Sequence, residues 1–339
     1  MSVGIQQPLA APFIWFGGKS RAASLVWERF GDVQSYVEPF AGSLAVLLGR
    51  PHAPHVETVN DADGLLVNAW RGIQFDPEAT AHYADWIVSE ADLHARHAWL
   101  VAQRADLTER LMGDPDFFDA KAAGYWLWGI SCWIGSGWCS GNGPWIVQDG
   151  RFVDSRQLGM GRESETPEAG VNRKRPHLTR AQGVNRHGES LLPWFTALSE
   201  RLRRVRVCCG DWSRVMGDSA LIADRQNAGI LLDPPYSHDE RAGGLYAEDH
   251  DVAAQVRHWA LTNGDRKELR IALCGYQGEH DMPESWTAVK WHASGGYDRL
   301  NKDRDNLNKY RETIWFSPGC LKPEAELPLF AALNGEAPV

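Results

Sequence analysis

The stretch Ala228-Gly229-Ile230-Leu231-Leu232-Asp233-Pro234-Pro235-Tyr236 limits what this chain can fold into more than any other. An apolar run closed by Asp-Pro-Pro reads as a short buried strand of a parallel sheet, with a turn at its carboxyl end. Open α/β sheets bind ligands at that end. The two prolines remove backbone donors and fix φ, so the chain leaves the sheet rigidly. Asp233, a proline carbonyl and the Tyr236 ring are then expected around one small space that suits a flat base carrying an NH2 group. The same nine residues also suit a plain buried strand with a Pro-Pro turn, and the rest of the chain separates the two readings.

At 339 residues the chain can bury a substantial core, as one large domain with an insertion or as two unequal lobes. No 18-residue apolar run is present, and Met1 to Ala11 lack a basic stretch followed by an apolar one. Neither a membrane span nor a secretory signal is expected, and the location is expected to be cytoplasmic. The six cysteines contain no CxxC pair, which predicts reduced thiols and no bound metal. A net charge of -9 argues against a nucleic-acid partner, but its distribution argues for one. Residues 151 to 210 hold 12 Lys+Arg against 6 Asp+Glu. Local field governs docking, so this segment is a candidate phosphate-contacting surface, with a merely solvated face as the alternative.

Three further stretches point to the same sheet edge. Phe13-Ile14-Trp15-Phe16-Gly17-Gly18-Lys19-Ser20 pairs glycines, which let a ligand approach the backbone, with aromatic rings and an ammonium; a helix is expected over Arg21 to Arg29. Tyr36-Val37-Glu38-Pro39-Phe40-Ala41-Gly42-Ser43 followed by Leu44 to Leu48 reads as strand, acid, small-residue turn and helix. That is the order in which a Rossmann-like sheet receives a nucleoside-containing cofactor over a helix N-terminus. Val56 to Asp61 reads as a second strand ending in an acid, able to accept ribose hydroxyls, with helix capping by Asp61 or Asp63 as the alternative.

FGGK (Phe16 to Lys19), EPFAGS (Glu38 to Ser43), ND (Asn60, Asp61) and DPPY (Asp233 to Tyr236), in this order and with a long insertion before the last, resemble the Dam-like N6-adenine DNA methyltransferases of the alpha motif order. The resemblance covers residues 12 to 62 and 205 to 318. It implies an α/β fold, a Rossmann-like methyltransferase domain with a seven-stranded mixed sheet over 1–64 and 205–320, a largely helical and loop-rich target-recognition insertion over 65–204, and a tail over 321–339. It implies S-adenosylmethionine as cofactor, held by Trp15, Phe16, Gly17, Gly18, Lys19, Glu38, Pro39, Phe40, Ala41, Gly42, Ser43, Asp61, Asp211 and Asp233. The target adenine is implied at Asp233, Pro234, Pro235 and Tyr236, with double-stranded DNA as partner. Ser43 departs from a glycine common in the family, and serine is small enough to leave the assignment standing.

The insertion changes to helical periodicity, with amphipathic patterns over His82 to Ile87 and Ala91 to Met112 and a more apolar one over Phe117 to Ile130. A glycine-rich loop with regular tryptophans follows, and five of the 16 tryptophans (Trp126, Trp128, Trp133, Trp138, Trp145) fall within twenty residues. Such rings either stack on exposed bases or pack the loop onto the helices. Gly-Val-Asn-Arg occurs at 170 to 173 and again at 183 to 186. Arg173, Lys174, Arg175, Arg180 and Arg186 suit phosphates, as do Arg299, Lys302 and Arg304 in a second basic stretch before the last strand. Val205 to Asp211, Leu269 to Gly275, Thr287 to His292 and Glu312 to Pro318 complete the strands, and Asp249 is expected to cap a helix running to Trp259.

The chemistry implied is methyl transfer to N6 of a flipped-out adenine. Competing readings are methylation of cytosine N4 or of an RNA adenine, and a non-catalytic DNA-binding protein on the same scaffold. Asp rather than Ser before Pro-Pro-Tyr favours adenine, and the intact lysine and acids favour catalysis. No nuclease motif is evident, so a solitary or phage-type modification enzyme is expected in preference to a fused restriction enzyme.

Overall fold

The computed structural model describes residues 9–13, 15, 17–133, 138–139, 145–148, 151–154, 190–222, 226–236, 247–291 and 312–323. In chain order its elements are α1 (Ala23–Phe30), β1 (Ser35–Glu38), α2 (Ala45–Leu48), β2 (Val56–Asp61), α3 (Gly64–Phe75), α4 (Pro77–Ala84), α5 (Glu90–Gly113) and α6 (Ala120–Cys132). They continue with β3 (Trp145–Gln148), β4 (Arg151–Asp154), α7 (Leu192–Leu202), β5 (Val205–Cys209), a 3-10 turn over Trp212–Val215, α8 (Asp218–Leu221), β6 (Ala228–Leu232), α9 (Ala247–Asn263), β7 (Leu269–Tyr276), β8 (Thr287–Lys290) and β9 (Glu312–Phe316). Seven strands form one sheet in the order β5-β2-β1-β6-β7-β9-β8, and β3 and β4 form a separate antiparallel pair. β1 pairs in parallel with β2 and β6, and β6 with β7, whereas β9 runs antiparallel to both β7 and β8. This is the mixed α/β sheet expected of a Rossmann-like methyltransferase.

Two compact units divide the chain, one of Met1–Pro8, Gly17–Asn60 and Trp212–Val339, the other of Leu9–Phe16 and Asp61–Asp211. In the first, β1 and β6 are buried along their whole length; the apolar run of β6 suits a strand covered on both faces, while β1 buries Ser35 and Glu38 as well. Gly229 lies at the middle of the sheet because a Cβ there would come within 2.8 Å of the buried Phe30 ring of α1. A buried clamp sits beside it: Arg50 pairs with Glu57 at 3.2 Å and donates to the Val33 carbonyl at 2.7 Å, its guanidinium 5.0 Å from the centre of the Trp27 ring. The expected helix after EPFAGS is only four residues long. Leu44, buried and with φ 53°, holds a left-handed turn that delays its start to Ala45. α9 begins at Ala247, so Asp249 lies inside the helix and does not cap it.

In the second unit, side-chain caps set the helix starts. Asp63 accepts from Leu65 N at 3.0 Å, Asp76 from Ala79 N at 2.9 Å and Asp119 from Ala122 N at 2.9 Å, while Pro77 occupies the first position of α4. α4 ends at Ala84, short of the expected Ile87. Asp85 leaves helical backbone angles, and Trp86 instead bonds through Nε1 to Asp92 of the next helix at 2.9 Å. The Arg71 guanidinium, 2 % exposed, donates to the carbonyls of Val207 (2.9 Å), Asp114 (2.9 Å) and Phe117 (3.1 Å), joining β5 to the α5–α6 connection. Trp126 and Trp128 are buried, Trp133 and Trp138 lie 4.9 Å and 5.3 Å from the His97 ring, and Trp138 Nε1 donates to the Trp126 carbonyl at 3.2 Å. These four tryptophans therefore pack the helices. Among the described residues, no helix is long and apolar enough to cross a membrane.

Candidate active site

The carboxyl end of β6 delivers Asp233 into a small polar cluster in the first unit. Asp233 Oδ2 lies 2.9 Å from Lys19 Nζ, and Asp233 Oδ1 accepts from the Tyr236 hydroxyl at 3.0 Å. Both carboxylate oxygens are thus aimed by neighbours, and the Asp-Pro-Pro turn prevents the backbone from swinging away. Pro234 is buried and Pro235 exposed. The Tyr236 ring meets Tyr276 of β7 edge-on, with centroids 4.7 Å apart.

Lys19 is 4 % exposed and comes from the turn before α1, where Gly17 holds φ 74° and its carbonyl accepts from Nζ at 2.7 Å. The ammonium also lies 5.2 Å from the Tyr236 ring centre, 5.7 Å from that of Trp291 and 3.8 Å from Glu312 Oε2. Burial alone would lower the Lys19 pKa, but Asp233, Cys274 and Glu312 outweigh it and the pKa rises, so the ammonium stays charged. Burial pushes the Glu312 carboxyl up, against the pull of Lys19 and with a further push from Asp233. The Tyr236 phenol is likewise held up by burial and by Asp233, so it remains a donor.

Beside this cluster, EPFAGS wraps the end of β1. Glu38 is buried and its Oε1 accepts from the Tyr36 hydroxyl (2.5 Å) and from Leu47 N of α2 (3.0 Å). The Pro39 carbonyl accepts from Asn60 Nδ2 at 3.1 Å, and Ala41 N donates to the Asn60 carbonyl at 2.8 Å, which fastens the turn to β2. Gly42, with φ 45°, and the buried Ser43 complete the turn. Phe40 stacks on Trp212 at 6.2 Å and 25°.

In the second unit, Asp61 accepts from Asp63 N at 2.9 Å through its side chain and from Gly210 N at 2.9 Å through its carbonyl, and Asp211 is exposed at the end of β5. Asp63, and not Asp61, caps α3. Trp15 packs against Phe13 and Trp126. Phe16, Arg173, Lys174, Arg175, Arg180, Arg186, Arg299, Lys302 and Arg304 lie outside the described residues. No group of three or more potential metal ligands occurs among the described residues. Sequence reasoning missed Glu312, Trp291 and Tyr276. The available signal was an acid at the head of the wholly buried strand β9.

Burial raises the Glu38 carboxyl from 4.5 to about 8, with Glu57 and Asp233 adding to the rise against the bonds from Tyr36 and Leu47. A carboxyl raised on folding contributes stability that is full below its unfolded value and is lost as pH rises through its folded one. Wild-type stability should therefore fall between about pH 5 and about pH 8, and Glu38→Gln should remove on the order of 2–4 kcal/mol of that fall. Urea titrations at several pH values check this; equal pH slopes for the two proteins would show Glu38 to be ionised throughout.

Residues 15–100 match the family model of the D12 class N6 adenine-specific DNA methyltransferases. No curated protein matches the chain. That model ends well before β6, yet the Asp-Pro-Pro-Tyr turn of β6 stands with Lys19 from inside the matched region in one cluster. Over residues 15–100 the chain is thus similar to the D12 class N6 adenine-specific DNA methyltransferases, and that match supports DNA adenine-N6 methylation as its activity.

Proposed function

We propose that the carboxyl end of β6 receives a flipped-out adenine, with the Asp233 carboxylate and the Pro234 carbonyl accepting the two hydrogens of its amino group. The observation that carries this reading is Asp233 itself, fixed from two sides by Lys19 and Tyr236 at the end of a fully buried strand. Adenine N6 is a poor nucleophile because its lone pair is delocalised into the ring. Two acceptors on its hydrogens draw the nitrogen towards sp3 and aim the lone pair outward, so positioning does most of the work. No such approach is possible inside a duplex, which requires the base to leave the stack.

Methyltransferases of this kind use S-adenosylmethionine, which supplies a methyl group bonded to a positively charged sulfur. The first unit fits that group in chemistry. Asp233 and Glu312 outnumber the Lys19 charge, which suits a sulfonium, and the Phe40–Trp212 pair offers aromatic surface to a purine. Gly17, Gly18, Lys19 and the turn from Pro39 to Ser43 would hold it. Glu38 would act indirectly, by tying that turn to α2. The assignments of Trp15, Phe16, Asp61 and Asp211 rest on motif order. The assignment of the basic residues of 151–210, and of Arg299, Lys302 and Arg304, to DNA phosphates rests on local charge.

Tyr236 serves twice in this reading, as a ring against the base and as a donor to Asp233. Tyr236→Ala should raise KM for DNA roughly ten- to a hundredfold, the scale of one lost stacking contact, whereas Tyr236→Phe should leave KM near wild type and lower kcat by a smaller factor. Steady-state kinetics on a duplex substrate separate the two. A KM unchanged in Tyr236→Ala would remove the ring from base capture.

A further inference from the structure

Glu312 heads β9, a strand whose other residues are apolar or Thr and are all buried. It is 6 % exposed, lies opposite Tyr276 in the β7–β9 register, and its carbonyl accepts from Trp291 N at 3.1 Å. Its Oε2 has no hydrogen-bond partner among the described residues and lies 3.8 Å from Lys19 Nζ, the same ammonium that touches Asp233 at 2.9 Å. A fold that needed only to neutralise Asp233 would bury one carboxylate beside Lys19; a second one, desolvated and with one oxygen lacking a hydrogen bond among the described residues, costs stability. Such a cost at a ligand-binding sheet edge marks a functional group.

Resting on the assignment of Asp233 as amino-group acceptor, we infer that Glu312 is a positioning residue for methyl transfer. It shares the Lys19 ammonium with Asp233, so that among the described residues two carboxylates face one ammonium and the cluster carries one negative charge in excess. That excess acts in two ways. The partial pull of Glu312 on Lys19 keeps Asp233 a stronger acceptor for the amino hydrogens than it would be in a neutral pair. It also opposes the positive charge that grows on N6 as the nitrogen takes up a methyl group, an effect larger in the transition state than in the bound ground state. Among the described residues, the groups facing Glu312 are Lys19 and Asp233, with Tyr276 and Cys274 on β7 and the Tyr236 phenol beyond Lys19. Only the first two carry charge. Because Glu312 takes up a proton above the usual carboxylate range, the excess charge disappears as pH falls.

The test is kcat and KM for duplex DNA across pH for wild type, Glu312→Gln and Glu312→Asp, with Asp233→Asn alongside. Glu312→Gln should lower kcat about 10- to 100-fold with KM for DNA within about threefold of wild type, and should lose the acid limb of the kcat profile. Glu312→Asp should keep that limb at an intermediate kcat. Unchanged kcat in Glu312→Gln, or an acid limb that persists in it, would overturn the role of Glu312. Should Glu312→Gln fail to fold, the wild-type profile decides: an acid limb centred above the usual carboxylate range supports the inference, and a profile flat down to about pH 5 contradicts it. Inactive Asp233→Asn beside an unaffected Glu312→Gln would sink this inference alone, whereas fully active Asp233→Asn would sink the reading of Asp233 on which it rests.

Discussion

Asp233→Ala should lower methyl transfer by at least about a thousandfold while the protein keeps its cooperative unfolding transition. Asp233 is only partly buried, and its side chain meets Lys19, Tyr236 and the Cys274 thiol at the polar end of β6. Its removal leaves Lys19 with Glu312 and the Gly17 carbonyl, so the ammonium is still balanced. What is lost is the acceptor that orients the amino group, an interaction that matters more as the nitrogen approaches sp3 than in the initial complex. The loss should therefore fall on kcat, with DNA binding in a gel-shift assay close to wild type. A variant that binds DNA as before but transfers methyl groups at more than about a tenth of the wild-type rate would remove Asp233 from the chemistry.

The second large effect is expected at Lys19. Replacing it with alanine leaves two carboxylates, Asp233 and the buried Glu312, without their shared cation. Breaking a buried ion pair from one side costs about 3–5 kcal/mol, because the charge left behind must be desolvated or must take up a proton. Lys19→Ala should show a destabilisation of that size in urea unfolding at neutral pH, shrinking as pH falls and the orphaned carboxyls are protonated. Activity should fall with it. Lys19→Ala as stable as wild type at neutral pH would mean that the ammonium does not compensate Asp233 and Glu312.

The sequence made β6 and its Asp-Pro-Pro turn legible because their signals are local: a short apolar run, two prolines and an acid at the junction. β1 and β2 could be read the same way, and the alternation of Tyr36 and Glu38 already put both side chains on one face of a strand, where they bond each other. That pairing turns Glu38 into the protein, a placement that the order strand, acid, turn, helix does not reveal. The cap on α3 was visible as an Asp before a periodic run, but the caps Asp76 and Asp119 and the end of α4 were not. Tyr83 to Ile87 continue an amphipathic pattern that Asp85 interrupts through its backbone angles. Glu312 was hidden for a different reason. Its meaning depends on β9 inserting between β7 and β8, which brings it to a lysine almost the whole chain away, and no local period records that pairing. Arg71 was hidden likewise, since its three acceptors are backbone carbonyls from distant segments.

The most direct test of the account is a nucleoside analysis by mass spectrometry of duplex DNA incubated with isotopically labelled S-adenosylmethionine and either wild-type or Asp233→Ala protein. Labelled N6-methyladenine from the wild type and none above background from the variant is the result this geometry predicts. Labelled N4-methylcytosine from the wild type, or N6-methyladenine formed equally well by Asp233→Ala, would contradict it.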